Sequence, residues 1–311
     1  MTDETAEKIV DFVKAHASHL SGFSVTWFGG EPLLDVNRIE NLSAAFLEIC
    51  KQNDIKYKAD IVSNGYHYSA EIAKRLKDCD INNIQITLDG NKKTHDSKRF
   101  LQDNTGTFDT IIHNIENAKG ILPIALRLNV DAENISETDE IIALIKEKNL
   151  EEFVFPYLGR LESYNDNVLE NRCFSTKEFR SINLDFTKSM GRELSSFFPS
   201  PKSNYCMADA RQGFLIDPLG DVYKCFVDVG IESRKIFSLT DENMKVLPIL
   251  QDYMLFDPIT DSMCSDCKFL PICMGGCPSQ RRNSSADVCT DIKYNLSEYL
   301  FACAKEFLAD L

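Results

Sequence analysis

Seven of the eleven cysteines lie in the last third of the chain, between Tyr205 and Thr290. In order they are Cys206, Cys225, Cys264, Cys267, Cys273, Cys277 and Cys289. The spacing C-x2-C-x5-C-x3-C that starts at Cys264 places several thiols on tight loops that can converge on one metal centre. Small buried hydrophobic side chains would be the alternative interpretation, but it does not explain so dense a series. Any fold of this segment must bring these thiols together.

Composition limits the classes of protein that fit this chain. Its 311 residues, 43% of them hydrophobic, are enough for a large core or for two domains. Lys and Arg total 34 against 48 for Asp and Glu, and the net charge of -14 argues against nucleic-acid and anionic membrane partners. No spanning segment or secretion signal is recognisable, so we expect a cytoplasmic protein whose thiols serve metal binding or redox chemistry.

Strand-like and helical stretches alternate as far as about Tyr157. Strands are predicted at 23–28, 57–62, 83–88, 124–130 and 153–157, and helices near the N-terminus and at 36–51, 70–77, 108–119 and 137–148. This alternation indicates a parallel sheet with crossover helices. Periodicity alone leaves an open doubly wound sheet and a full or partial barrel as alternatives.

The alternation stops near Gly159. We expect residues 1–160 to form one domain, 161–203 a helical linker with a helix at 177–190, and 204–311 the cysteine-rich domain, which ends in an amphipathic helix at 293–311.

Polar residues and glycines follow four of the predicted strands. The groups are Gly29-Gly30-Glu31, Ser63-Asn64-Gly65, Thr87-Leu88-Asp89-Gly90 and Arg127 with Asn129. Glycines let a backbone approach a ligand closely, and α/β proteins bind small molecules at the carboxyl ends of their strands. The pattern therefore predicts a small-molecule site at this edge. For Asp89, His95 and Arg99, a capped turn with a surface ion pair and a role in binding substrate or cofactor both remain open.

The cysteine series, C-x13-G-x4-C followed by C-x2-C-x5-C-x3-C and a last Cys, resembles the SPASM module of peptide-modifying radical S-adenosylmethionine enzymes over residues 204–291. The resemblance implies two auxiliary 4Fe-4S clusters. It assigns Cys264, Cys267, Cys273 and Cys289 to one cluster, and Cys206, Cys225 and Cys277 to the other. The second set lacks a fourth ligand, for which Cys173 is a weak candidate. Zinc bound by four thiolates is the alternative.

The groups at the strand ends resemble the radical S-adenosylmethionine (AdoMet) core. The resemblance implies a partial (β/α)6 barrel that lacks its first strand, followed by a small iron-sulfur domain. By position, Gly29 and Gly30 would form the turn at the cofactor, and Glu31 would accept from its amine. Ser63 with Asn64, and Thr87, would meet the ribose or carboxylate, and Arg127 would pair with the carboxylate.

The function implied by the resemblance is modification of a peptide or protein, in which a 5'-deoxyadenosyl radical abstracts a hydrogen atom. Crosslinking of ribosomally made peptides and maturation of sulfatases are examples. The implied partners are a peptide or protein substrate and, as a further candidate, a separate leader-peptide recognition protein. No residue is assigned as catalytic.

No cysteine precedes Cys50, so the chain lacks the C-x3-C-x2-C loop that holds the family's third, AdoMet-cleaving cluster. We expect a chain truncated before that loop and inactive by itself; a degenerate paralogue is the rival explanation. The alternative function is a non-catalytic protein that binds iron-sulfur clusters or zinc and a peptide.

Overall fold

The computed structural model describes residues 1–161, 172–194, 199–241, 245–282 and 288–309. It divides into two compact units, one formed by Ile9–Cys173 and the other by Met1–Lys8 with Phe174–Leu311. Within the described ranges, none of the helices is both long enough and apolar enough to cross a lipid bilayer.

The unit Ile9–Cys173 contains a parallel sheet of five strands. They are β1 (Gly22–Trp27), β2 (Lys56–Ser63), β3 (Ile81–Leu88), β4 (Ile124–Val130) and β5 (Val154–Arg160). Each strand pairs with the next one along the chain, in the order β1-β2-β3-β4-β5. A doubly wound sheet reverses its strand order at a switch point, and these five strands show no reversal. The sequential order is that of a partial barrel, so the doubly wound alternative is excluded.

One helix precedes β1, and the others connect the strands. They are α1 (Asp3–His16), α2 (Val36–Gln52), α3 (Ala70–Asp78), α4 (Lys92–Lys98), α5 (Phe108–Asn117) and α6 (Thr138–Glu147). The predicted helices agree with these bounds to within a few residues. Helix α4 was not predicted, because all seven of its residues are polar and show no hydrophobic periodicity. His95 is the one residue in it that is buried. Asn91 begins α4 by accepting from the backbone N–H of Thr94 at 3.1 Å.

The two faces of the sheet differ in polarity. Side chains alternate between the faces along a strand, and residues paired in register point to the same face. One face carries buried aliphatic residues: Ile61, Ile84, Ile86, Leu126, Leu128 and Leu158. The other carries polar ones: Asp60, Asn83, Gln85, Arg127, Asn129 and Tyr157. A sheet with one polar face has groups available to bind a polar ligand there.

The second unit contains short elements. After α7 (Thr176–Ser189) come three antiparallel strands, β6 (Leu215–Ile216), β7 (Asp221–Tyr223) and β8 (Phe237–Ser238), and then α8 (Ile249–Met254), α9 (Leu270–Cys273), α10 (Pro278–Arg282) and α11 (Leu296–Ala309). Leu184, Leu194 and Tyr299 form a buried cluster, against which Cys303 packs. Helix α7, predicted to lie in a linker, therefore packs within this unit. Residues 162–171 and 195–198 of that predicted linker lie outside the described residues.

Four cysteines lie outside the series: Cys50, Cys79, Cys173 and Cys303. Cys50 is buried in α2, and Cys303 packs on the cluster around Tyr299. Cys79 is also buried, at the end of α3. Cys173 is half-buried and lies at the end of the unit Ile9–Cys173.

Candidate functional site

The turn after β1 is open above its glycines. Gly29 has a φ of +149°, a conformation that side-chain-bearing residues rarely adopt. A Cβ atom added at Gly29 or Gly30 would meet nothing within 4 Å. The space beside the backbone of this turn is therefore open.

Glu31 joins this turn to the end of β2. Its Oε1 accepts from the hydroxyl of Ser63 at 2.8 Å and from the backbone N–H of Leu33 at 3.0 Å. Its Oε2 accepts from the backbone N–H of Asn64 at 2.7 Å. A carboxylate can accept about four hydrogen bonds, so one position on Oε2 remains for a cationic donor.

Thr87 and Arg127 form a second group of predicted residues. They are paired in register on β3 and β4, and both therefore lie on the polar face of the sheet. Arg127 Nε donates to Asn129 Oδ1 at 2.8 Å. This bond orients the guanidinium, which also interacts with the hydroxyl of Tyr157. Ser63 pairs with Ile86 instead, so its side chain lies on the aliphatic face.

Asp89 connects Asn129 to Arg99. Its Oδ1 accepts from the amide of Asn129 at 2.8 Å, and its Oδ2 accepts from Arg99 Nε. Burial by itself would raise the pKa of Asp89, but the hydrogen bond and charge of Arg99 and the bond from Asn129 outweigh it, so the pKa is lowered. Asp89 is only 6% exposed, whereas the side chain of Arg99 is 36% exposed, so the pair joins a buried carboxylate to a partly exposed guanidinium.

Asn134, which the sequence analysis did not single out, supports this arrangement. Its amide nitrogen donates to the backbone carbonyls of Asp89 and Asn129, at 2.9 Å each. The ends of β3 and β4 are thereby fixed to one another. The role of Asn134 could have been predicted only from its position, a few residues after a strand that ends in polar residues.

His95 is fully buried, and its tautomer follows from its neighbours. Thr107 gives its hydroxyl proton to the carbonyl of Arg99 at 3.0 Å, so it must accept from His95 Nε2 at 3.1 Å. His95 Nδ1 accepts from the backbone N–H of Asp89 at 3.3 Å. The imidazole is therefore neutral, and burial lowers its pKa. His95 supports the turn that carries Asp89.

In the second unit, the thiols of Cys206, Cys225 and Cys277 interact with one another. Burial raises the pKa of Cys225 to about 11, and the nearby Asp228, Cys277 and Cys206 add to this. Burial also raises the pKa of Cys206, and Cys277 is among the neighbours that contribute. The carboxylate of Asp209 fixes the Cys206 turn by accepting from the backbone N–H of Cys206 at 2.9 Å.

Three of the other four thiols, those of Cys264, Cys273 and Cys289, interact likewise. Burial raises the pKa of Cys264 to about 11, with further contributions from Asp261, Cys273 and Cys289. Lys293 Nζ lies 3.2 Å from the sulfur of Cys289 and also interacts with Cys267 and Cys273. In the ranges that the structure describes, no three His, Cys, Asp or Glu side chains are arranged to hold a single metal ion.

Two sets of thiols fit soft metal centres by their chemistry, since thiolates are the ligands of iron-sulfur clusters and of structural zinc. Thiols whose pKa is raised by burial stay protonated at neutral pH. Loading such a site therefore requires the metal to displace protons.

Buried charges surround the thiols, and the sequence analysis did not single them out. Lys224 is fully buried and donates to the carbonyls of Ala210 and Gly213 at 2.6 Å each. Burial lowers its pKa to about 8. Asp228 is fully buried as well and pairs with Arg282 at 2.8 Å. Lys224 stands between apolar residues in the sequence, and a charge in such a stretch is the signal from which a buried charge could have been predicted.

Several known proteins are similar to this chain in sequence. Residues 1–145 match the family model of the Radical SAM superfamily. The chain is 26% identical over 238 residues to mycofactocin maturase MftC of Mycobacterium tuberculosis, covering 69% of this chain and 57% of that protein. It is 25% identical over 280 residues to the cysteine-type anaerobic sulfatase-maturating enzyme of Clostridium novyi, covering 82% and 72%.

A further relative has a different activity in its name. Fe-coproporphyrin III synthase of Methanosarcina barkeri is 25% identical over 160 residues, covering 51% of this chain and 36% of that protein. The chain thus spans 36% of the length of this relative and 57% of that of MftC.

Solved structures share the fold of the chain. Native anSMEcpe with bound AdoMet and Kp18Cys peptide superposes with a TM-score of 0.68 at 18% identity, covering 98% of this chain and 91% of that one. Streptococcus suis SuiB bound to S-adenosylmethionine superposes with a TM-score of 0.60 at 14% identity, covering 92% and 70%. Residues 1–145, a little under half of the chain, are thus similar to the radical SAM superfamily.

Proposed function

We propose that this protein modifies a peptide or protein by radical AdoMet chemistry, with AdoMet at the carboxyl ends of β1–β4 and clusters on the two sets of thiols. The observation that carries the proposal is the arrangement at those strand ends. Glu31 is fixed by Ser63 and Asn64, while Arg127 is fixed by Asn129. A carboxylate and a guanidinium held at one edge of a sheet match the amine and the carboxylate of an amino-acid moiety.

The chain's own residues would bind and orient the cofactor. Glu31 would accept from the methionyl amine with the remaining position on Oε2, above the open turn at Gly29 and Gly30. Arg127 would pair with the carboxylate, and Thr87 beside it would bond the ribose or carboxylate. Ser63 and Asn64 would act at the same site, chiefly by holding Glu31.

The thiols would hold two auxiliary 4Fe-4S clusters, one on Cys264, Cys267, Cys273 and Cys289, the other on Cys206, Cys225 and Cys277. The interactions within each set support this grouping. When bound, AdoMet supplies a 5'-deoxyadenosyl radical once an electron is delivered to it, and the protein positions the reactants.

Peptide or protein is the proposed substrate class because the longer matches, over 238 and 280 residues, are to proteins named as maturases. The match to the porphyrin-forming relative covers 160 residues. A separate leader-peptide recognition protein would be a partner of such an enzyme.

AdoMet binding to the purified anaerobic chain, measured by calorimetry, tests the proposal. We expect binding that weakens about tenfold or more in Arg127→Met, the loss of one charge-assisted pair. Arg75→Met is the matched control, since Arg75 pairs with Glu40 between α2 and α3. No binding, or equal losses in both variants, would refute the proposed cofactor site.

The clusters are tested by anaerobic reconstitution with iron and sulfide. We expect about eight irons per chain and a brown iron-sulfur absorption band. Stoichiometric zinc without iron would refute the cluster assignment.

A further inference from the structure

The turn between Cys273 and Cys277 connects the two sets of thiols. Cys273, the last residue of α9, belongs to one set, and Cys277 belongs to the other. The three residues between them are all left-handed, with φ values of 50° at Met274, 87° at Gly275 and 75° at Gly276. Consecutive left-handed residues reverse the chain sharply, and they persist only when surrounding contacts hold them.

Close packing surrounds the two glycines. A Cβ atom at Gly275 would lie 2.4 Å from the ring of Phe256. A Cβ atom at Gly276 would lie 1.8 Å from the carbonyl oxygen of Val288. The same oxygen accepts from the backbone N–H of Cys277 at 3.1 Å. The turn is therefore fixed by backbone contacts on one side and by an aromatic ring on the other.

Arg281, one turn of helix beyond Cys277, holds the same turn by its side chain. Its Nη1 donates to the carbonyl oxygens of Gly275 at 2.8 Å and of Gly276 at 2.5 Å. Its guanidinium lies 3.8 Å from the centre of the Phe256 ring, a cation–π contact. The carbonyls that precede Cys277 thus have their hydrogen bonds supplied by one arginine.

The same guanidinium interacts with both sets of thiols. Its electrostatic neighbours are the carboxylate of Asp209, then Cys277 and Cys206 of one set and Cys264 of the other. Lys293, in contrast, interacts with Cys289, Cys267 and Cys273, all of one set. Arg281 thus has neighbours in both sets, whereas the thiols near Lys293 all belong to one.

We propose that Arg281 is a positioning residue that fixes Cys277 relative to Cys273 and supplies the positive charge shared by the two cluster sites. The inference rests on the proposed function, namely that these thiols hold clusters. A positive charge beside an iron-sulfur cluster stabilises its reduced, more negative state, and so raises its reduction potential. Loss of the guanidinium should therefore affect both the occupancy of the sites and the potential.

The test compares the reconstituted chain with Arg281→Met and Arg281→Lys, measuring iron per chain and midpoint potential by dye-mediated titration with electron paramagnetic resonance. In Arg281→Met we expect loss of about half the iron, since one of two clusters depends on Cys277, and a more negative potential for the remainder. In Arg281→Lys we expect iron loss, because lysine lacks the planar guanidinium that donates to both carbonyls. The potential should stay close to that of the unaltered chain, because lysine keeps the positive charge. The exposed Arg211→Met is the control and should change neither quantity.

The outcomes separate the inference from the function on which it rests. If the unaltered chain takes up no iron, the proposed function fails. If the unaltered chain is loaded and Arg281→Met matches it in iron and potential, the role of Arg281 is refuted alone. Equal potentials in the Lys and Met variants would refute the charge effect. If circular dichroism shows that Arg281→Met does not fold, Arg281→Lys takes its place. Loss of iron in Arg281→Lys supports the positioning role, and an unchanged iron content refutes it.

Discussion

Gly159 on β5 leaves the space that the side chain of Arg127 on β4 occupies. A Cβ atom at position 159 would lie 2.4 Å from Nε of Arg127 and 2.7 Å from its Cζ. Gly159 is paired in register with Asn129, the residue that accepts from the same Nε. A methyl group at this position would therefore displace the guanidinium of Arg127, although Gly159 is not itself a predicted cofactor contact.

Gly159→Ala should weaken AdoMet binding although residue 159 is not itself a predicted contact. We expect a loss of about tenfold or more, comparable to that in Arg127→Met, because the added methyl group moves the guanidinium away from the carboxylate. Calorimetric titration with AdoMet measures it. Gly22→Ala, on β1, is the matched control, since a Cβ there would meet only the carbonyl of Lys56 at an ordinary 3.8 Å. Unchanged affinity in Gly159→Ala would show that Arg127 does not bind the cofactor.

Glu31→Ala should lower the free energy of unfolding, and it also removes the proposed acceptor for the AdoMet amine. The substitution leaves the hydroxyl of Ser63 and the backbone N–H of Asn64 without their acceptor, which costs about 1–3 kcal/mol of unfolding free energy. Urea unfolding followed by the fluorescence of Trp27, the single tryptophan, measures it in the sheet unit. Glu48→Ala on α2, where Glu48 accepts only from the exposed Gln52, should cost less than about 0.5 kcal/mol. Equal costs would contradict the linking role of Glu31.

The sequence predicted the strands, most helices and the strand-end groups because these depend on local pattern. Hydrophobic periodicity identified β1 to β5, and their sequential order could be settled only by the structure, since periodicity carries no information about pairing. Helix α4 was missed because it has one buried side chain and begins by a polar cap.

The support around the site could not be predicted from the sequence. Asn134 and Gly159 act on side chains from other strands, and neither stands in a motif. Arg281 likewise depends on a turn whose left-handed conformation was indicated only by its two glycines. Contacts between distant residues of ordinary type leave no local signal.

The buried His95 predicts a dependence of stability on pH. Burial lowers the pKa of His95 in the folded chain, whereas an unfolded histidine titrates near about 6.5. The unfolded state therefore binds more protons below that pH, so this contribution to stability is present above about pH 6.5 and is lost as the pH falls towards the folded pKa. We expect His95→Gln to be less stable than the unaltered chain at pH 8, with the difference narrowing as the pH is lowered. Urea unfolding at several pH values, with the exposed His113→Gln as control, checks this; a constant difference would contradict it.

The pair of Asp228 and Arg282 predicts a large loss of stability in the second unit. Asp228 is fully buried and also pairs with Arg234 at 3.0 Å, while the hydroxyl of Tyr253 donates to it. Burial alone would raise the pKa of Asp228, but the bonds from Arg282, Tyr253 and Arg234 outweigh it, so the pKa is lowered. The carboxylate's contribution is thus present above the unfolded pKa and lost as the pH falls through the folded one.

Replacing Asp228 with Ala should therefore cost about 3–5 kcal/mol at neutral pH, because it leaves the partly buried Arg282 without its charge partner. Urea unfolding of the reduced, metal-free chain, followed by circular dichroism, measures it. Glu40→Ala breaks the more exposed pair with Arg75 and should cost less than about 1 kcal/mol. The Asp228 difference should shrink as the solution is acidified, since protonation removes the same charge in the unaltered chain. Equal losses in the two variants would mean that the pair around Asp228 is no more important to folding than a surface one.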